Sequence, residues 1–245
     1  MLRKDKAVCL RRSDFSETSQ VTTFFARQAG RFGAIAKGSK RPKSSFDGPI
    51  EIFAFGDIVF SPARSANLAT LTEFAPKPLF FHSQATLFVL NSALFSAELI
   101  ESFTEDYDPH AELFDALIEF LRDLQRTDNE SEALGLLVLF QLTLLKEIGS
   151  QPVLSECVNC NRNFGVDWNE IYFSSSANGL ICENCEQAFA DKLKVSRPCA
   201  ACLADLKLIG KANQRLLREI EKVLIYHFTE LMRRTPKMAK YFLRK

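Results

Sequence analysis

The chain has almost no net charge. Its 245 residues hold 31 Lys and Arg against 30 Asp and Glu, a formal +1. Taken over the whole, that balance does not point to a polyanionic partner. Long hydrophobic runs are also missing. The greasiest stretch, residues 134–145, is interrupted by Gln141 and Thr143 and falls short of the roughly 20 apolar residues that cross a bilayer. Residues 1–6 are basic, but no apolar segment follows, so a secretory leader is not expected. There is no G-x-x-x-x-G-K-[ST] phosphate loop and no G-x-S-x-G nucleophile elbow. No internal repeat or low-complexity tail is visible. What remains is 47 % apolar and 25 % charged, an ordinary globular composition for one large or two small domains. A soluble, cytoplasmic protein is expected.

The near-zero average hides a segregation. Residues 1–50 hold 11 Lys/Arg against 4 Asp/Glu, residues 98–135 hold 2 against 12, and residues 207–245 hold 11 against 3. Separate local fields follow, and a basic end can grip phosphates although the chain as a whole is neutral.

Residues 1–80 read as about five short strands, which suggests a small closed barrel or sandwich. The apolar runs are Ala7-Val8-Cys9-Leu10, residues 21–26, residues 34–37, residues 50–60 and residues 68–74. Gly30-Arg31-Phe32-Gly33 is expected as a turn, and Gly56-Asp57 as a bend or bulge. Pro76 and Pro78 punctuate the end of this unit. Helical spacing follows, with Leu87, Leu90, Leu94 and Ala97 as one stripe. Asp108-Pro109 is expected to start a second helix, Asp as cap and Pro in the first turn. Leu113, Leu117, Phe120, Leu121 and Leu124 give it a buried stripe. Residues 134–148 predict a central buried helix ended by Gly149. Residues 203–234 predict a last, basic helix. The expected architecture is a multidomain α+β chain: an N-terminal OB-fold barrel at 1–80, then a helical domain at 81–245 carrying an inserted zinc-ribbon module at about 152–194.

Six of the seven cysteines fall in C-x-x-C pairs. Cys157-Val158-Asn159-Cys160 is followed after 21 residues by Cys182-Glu183-Asn184-Cys185. Two such corners present four thiolates in the tetrahedral set that Zn²⁺ prefers at a closed structural site. With four thiolates no position remains for water, so one structural zinc, not a catalytic one, is expected. The third pair, Cys199 and Cys202, follows Pro198 and matches half of the zinc nucleobase-deaminase signature; His110-Ala111-Glu112 matches the other half. The halves are far apart in sequence and straddle a better zinc module, so the deaminase is the weaker reading. Cys199 and Cys202 are expected as small buried residues, with exchange into the metal site as an alternative. His82 and His227 are expected to pack or to lie on the surface.

Single strands bind barrels of this type through cations along a groove and aromatic faces under the bases. Arg31, Lys37, Lys40, Arg41 and Lys43 fall within thirteen residues and are the candidate DNA contacts. Phe24, Phe25, Phe32, Phe46, Phe53 and Phe55 are interleaved with them, although core packing is the commoner fate of a Phe. A protein-binding zinc-ribbon adaptor remains the alternative.

The order of parts resembles the bacterial DNA repair family RecO. The resemblance is carried by Phe15-Ser16-Glu17-Thr18, by residues 22–30, and above all by Ile35-Ala36-Lys37-Gly38-Ser39-Lys40-Arg41-Pro42-Lys43-Ser44, which is similar to a basic "AKG-x-R-R-P-x-S" loop. Pro152-Val153-Leu154 before the first C-x-x-C and Gly179-Leu180-Ile181-Cys182 continue it. Asn178 stands where that family usually has glycine, and the third cysteine pair lies outside its pattern. The resemblance implies a non-enzymatic, nucleoid-associated protein that binds single- and double-stranded DNA and anneals complementary strands. It also implies work with RecR to load the RecA recombinase, and binding to the C-terminal tail of single-strand-binding protein. The basic final segment, with Arg215, Arg218, Lys222, Arg233 and Arg234, either extends the DNA surface or receives that acidic tail. The oligomeric state is left open.

Overall fold

The computed structural model describes residues 1–42, 44–63, 68–81 and 85–243. They divide into two compact units, one of Met1–Ala93 with Ile100–Arg126, the other of Leu94–Leu99 with Thr127–Lys245.

Five strands of the first unit close into a barrel: β1 (Arg3–Asp14), β2 (Gln20–Ala26), β3 (Gly30–Ala36), β4 (Phe55–Ser61) and β5 (Ala69–Lys77), in the order β1-β2-β3-β5-β4. All neighbours run antiparallel except β3 and β5. Alternation explains why these segments are strands: every second residue of β3 is buried, namely Gly30, Phe32, Ala34 and Ala36, so one face points inward. The interior mixes large and small side chains. Phe32 stacks on Phe60 at 4.4 Å, and Phe24 lies 5.9 Å from Phe74. Ala7, Ala26, Ala34, Ala36 and Ala69 leave room for those rings. Truncating one such Phe to Ala costs about 3–5 kcal/mol.

Two glycine expectations fail for a shared reason. Gly30-Arg31-Phe32-Gly33 is strand, not turn; the turn lies at 27–29 and is pinned by the Asp5 carboxylate, which accepts from Gln28 and Ala29 N–H at 3.0 and 2.8 Å. Gly56 sits inside β4 without a bend, and the register shift comes later, between Val59 and Phe60. Both glycines serve close backbone approach. A Cβ on Gly30 would meet the Asp108 carbonyl oxygen at 2.1 Å, and one on Gly56 that of Ala75 at 2.1 Å. Strand β4 also begins later than expected, because Phe53 takes a left-handed φ of 64°.

Helix α1 (Leu87–Phe103) is capped by Thr86. Its expected stripe is shifted: Leu87 is exposed, and Val89, Ala93, Ala97, Leu99 and Ile100 are buried. Helix α2 (Ala111–Leu124) starts after His110, not at Asp108, whose carboxylate faces the His110 ring at 3.2 Å. Its expected stripe is buried and covers the barrel's outer face, with Phe114 5.9 Å from Phe25. Arg27 binds Asp115 through two nitrogens on the same face.

In the second unit, helix α3 (Glu130–Glu147) is capped by Asn129 and buried on most sides, and Gly149 follows its end. Strands β6 (Ile171–Ser174), β7 (Gly179–Cys182) and β8 (Lys192–Val195) form a three-stranded sheet in the order β7-β6-β8. The expected last helix is three pieces: α4 (Arg197–Ala204), a 3-10 turn (Leu206–Lys211) and α5 (Gln214–Met232). Asp205 and Asn213 each accept a backbone N–H of the element that follows, which competes with helix continuation.

Candidate nucleic-acid loop and metal centre

The basic loop leaves the barrel where three strands end together. Asp14 at the end of β1 pairs with Gln20, and Gln20 pairs with Ala36 at the end of β3. Residues 37–42 therefore start beside the β1–β2 turn. The loop is fastened there. Gly38 N–H donates to Ser19 Oγ at 3.2 Å, and Lys40 N–H to the Thr18 carbonyl at 3.1 Å. The Ser39 hydroxyl is buried and donates to Gln20 Oε1 at 2.9 Å. The Gln20 amide also bridges both backbone groups of Ile50, at 2.9 and 3.2 Å. Sequence reasoning missed Ser19, Gln20 and Ser39. The available signal was two polar residues opening an apolar strand run, which is weak by itself.

The candidate cations separate. Lys37 and Arg41 are exposed, and among the described residues neither is in an ion pair. Lys40 pairs with Asp14 at 3.0 Å. Arg31 pairs with Asp106 at 2.9 Å and lies at the opposite end of β3 from Lys37, roughly 20 Å away at about 3.4 Å per residue. The structure thus brings Lys37, Lys40 and Arg41 together, but not Arg31. Lys43 lies outside the described residues. Of the interleaved rings, Phe24, Phe25, Phe32, Phe46 and Phe53 are buried and Phe55 is partly buried. They build the barrel or its α2 cover and present no face for bases.

The four expected thiols converge. The Sγ atoms of Cys157, Cys160, Cys182 and Cys185 all lie within 4.8 Å of one another. Tetrahedral Zn–S bonds of about 2.3 Å require S···S edges of about 3.8 Å, and Cys160 and Cys182 are 3.8 Å apart. Each corner is a tight turn: Asn161 N–H donates to the Cys157 carbonyl, and Cys185 N–H to that of Cys182. Burial pushes the Cys157 thiol up, but N–H groups of Cys182, Cys160 and Asn159 aimed at it outweigh that and bring it down to about 7. Burial lifts Cys182 to about 12. Four sulfur donors on two tight corners, all within 4.8 Å of one another, fit one metal ion with zinc's ligand preference. Around it, Trp168 is fully buried, Arg162 lies over its ring at 5.3 Å, and Arg162 pairs with Glu183 at 3.0 Å.

Among the described residues, no other group of His, Cys, Asp or Glu is placed to hold a metal. Cys199 and Cys202 are buried in α4 outside the cluster, with burial raising both thiols. His110 is half-buried just before α2 and faces Asp108, and among the described residues neither deaminase half-motif belongs to a metal-holding group. His227 is buried and hydrogen-bonded to Ser175 Oγ at 2.8 Å, and burial pushes its pKa below the ordinary histidine value. His82 lies outside the described residues. On α5, Arg215 and Lys222 are exposed and Arg218 faces Glu130 at 3.6 Å; Arg233 and Arg234 follow its end. No described helix is long and apolar enough to cross a membrane.

Residues 1–79 match the model of the recombination protein O N terminal, and residues 84–239 that of the recombination protein O C terminal. The chain belongs to the RecO family. Among its RecO relatives, a DNA repair protein RecO of Alkaliphilus metalliredigens is 30 % identical over 225 residues, covering 92 % of this chain and 86 % of that protein. The DNA repair protein RecO of Bacillus pumilus is 28 % identical, with 94 % and 89 % covered, and that of Bacillus subtilis 26 %, with the same coverage.

Proposed function

We propose that this RecO-family chain is a non-enzymatic DNA-binding protein of recombinational repair. It binds single- and double-stranded DNA, anneals complementary strands, and loads RecA with RecR on strands coated by single-strand-binding protein, whose C-terminal tail it also binds. Its barrel is of the OB type, and the cysteine sheet is an inserted ribbon closed by one structural zinc. DNA binding keeps it with the nucleoid.

The supporting observation is the fastened loop with Lys37 and Arg41 exposed at one end of the barrel. Phosphate binding is mainly Coulombic and releases counterions. Cations on a loop already held by hydrogen bonds lose little further freedom when they bind. Lys40 contributes after exchanging Asp14 for a phosphate, since a surface pair is worth only about 0–1 kcal/mol. Lys43 belongs to the same loop by sequence. Arg31, engaged by Asp106 and remote from the loop, contributes least. Annealing then needs no reacting side chain: neutralising two backbones lowers their repulsion, and base pairing does the rest.

The test is a salt titration of fluorescent single- and double-stranded oligonucleotides. The log of affinity should fall linearly with the log of salt, at roughly 0.7 per contacted phosphate for single strands. A Lys37→Glu/Arg41→Glu variant should bind at least tenfold more weakly with an unchanged melting curve. A protein that ignores oligonucleotides in dilute buffer would be the adaptor, and the proposal would fall.

A further inference from the structure

The rings expected to stack on bases are packed inside the barrel or against its cover, which leaves the fastened loop with charge but no aromatic platform from that set. One aromatic outside the set stands beside it. Phe15 is 66 % exposed and directly follows Asp14, the last residue of β1. Because Asp14 pairs with Gln20 and Gln20 with Ala36, Phe15 and Lys37 step out of the same end of three adjacent strands. At about 4.8 Å per strand they lie roughly 10 Å apart, about three stacked nucleotide steps at 3.4 Å each.

The turn that carries Phe15 is held firmly. Its N–H donates to the Ser19 carbonyl at 3.0 Å, and Ser16 Oγ accepts from Ser19 N–H at 3.2 Å. The same turn holds the basic loop, through Ser19 Oγ to Gly38, the Thr18 carbonyl to Lys40, and Asp14 to the Lys40 ammonium. Ring and cations are thus parts of one hydrogen-bonded end piece. Asp14 and Glu17 make the turn itself unfavourable for a phosphate. The end piece thus carries an exposed neutral ring and two exposed cations, Lys37 and Arg41, the two kinds of group that the bases and the backbone of a single strand require. A duplex hides its base faces in its own stack and offers the ring nothing.

We infer that Phe15 is a base-stacking platform, so that this end of the barrel prefers single-stranded to duplex DNA. The inference rests on the DNA-binding reading. It adds a named residue and a reason for preferring one form of DNA. Stacking of one base on an aromatic side chain is worth about 5- to 150-fold in affinity, and covering an exposed Phe contributes at a similar level.

The test compares wild type, Phe15→Ala and Phe15→Trp for binding an oligothymidylate and a duplex of equal length. Phe15→Ala should lose about 5- to 150-fold in affinity for the single strand, keep its affinity for the duplex within twofold, and keep its salt slope. Phe15→Trp should retain single-strand affinity. Its added emission should be quenched by the oligothymidylate, against a wild type whose one Trp is the buried Trp168. Unchanged single-strand affinity in Phe15→Ala overturns the inference. Equal losses for both forms of DNA also overturn it, because the variant would then have disturbed the loop. Failure of the DNA-binding reading is distinct: the wild type would bind neither oligonucleotide.

Discussion

The Ser39 hydroxyl donates to Gln20 Oε1 at 2.9 Å, and both residues are wholly buried. This bond joins the first residue of β2 to the middle of the basic loop. The same amide also satisfies Ile50. Replacing Gln20 with Leu therefore strands several buried polar groups, each costing about 1–3 kcal/mol. We predict a lower urea midpoint for Gln20→Leu and weaker oligonucleotide binding even where the protein remains folded. Binding retained at full strength would show that the loop does not need this anchor.

The thiol cluster predicts a metal-dependent fold in the second unit. The sheet of β6–β8 has only a small core around Trp168, Phe173, Leu180 and Ile181, so ligand binding energy becomes folding energy. Cys157→Ser should lose stoichiometric zinc by elemental analysis and melt at lower temperature. Cys199→Ala should keep its zinc. Zinc lost on the second substitution would move a ligand into α4.

Glu221 on α5 predicts a pH dependence. Its carboxyl is buried, with burial raising its pKa to about 8 and the Gln141 amide, donating at 2.9 Å, offsetting only part of that. Glu221 Oε2 and Gln141 Oε1 are both buried without a partner, and a proton on Glu221 supplies the donor they lack. The folded pKa is above the ordinary 4.5. The stabilisation is therefore complete below pH about 4.5 and is lost as pH rises through about 8, by on the order of a few kcal/mol. Urea midpoints measured from pH 5 to 9 should fall across that window in the wild type and stay flatter in Glu221→Gln. Parallel curves would contradict the assignment.

Glu98 on α1 clasps the C-terminal segment. Its two carboxylate oxygens accept from Lys237 and Met238 N–H at 2.7 and 2.8 Å, and Phe95 stacks on Phe242 at 5.3 Å. A lost carboxylate cap costs about 0.5–2 kcal/mol. Glu98→Ala should speed amide exchange in residues 236–242 while leaving β6–β8 unaffected, as read by mass spectrometry.

Local signals were legible where the physics is local. A run of β-branched and aromatic residues located β2 but only the last three residues of β3, helical spacing located α2, all-round apolarity located α3, and the C-x-x-C spacing located all four converging thiols. Errors arose where one residue type serves two purposes. Gly30 and Gly56 signal a turn as readily as a close backbone contact, and only the facing carbonyls of Asp108 and Ala75 distinguish the two. Asp108 before a proline looks like a helix cap, yet the helix begins after His110.

By itself, the amino-acid order determined that a strand-rich, basic beginning precedes helices and a four-thiol module, because hydrophobic period and ligand spacing act over a few residues. Only the tertiary structure decided which cations are engaged and which ring meets solvent. Arg31 is neutralised by Asp106, Ser39 is held by Gln20, and Phe15 stays outside while Phe24 and Phe32 go in. Ion pairing and solvent exposure are set by whatever the fold brings alongside, and those neighbours come from distant parts of the chain.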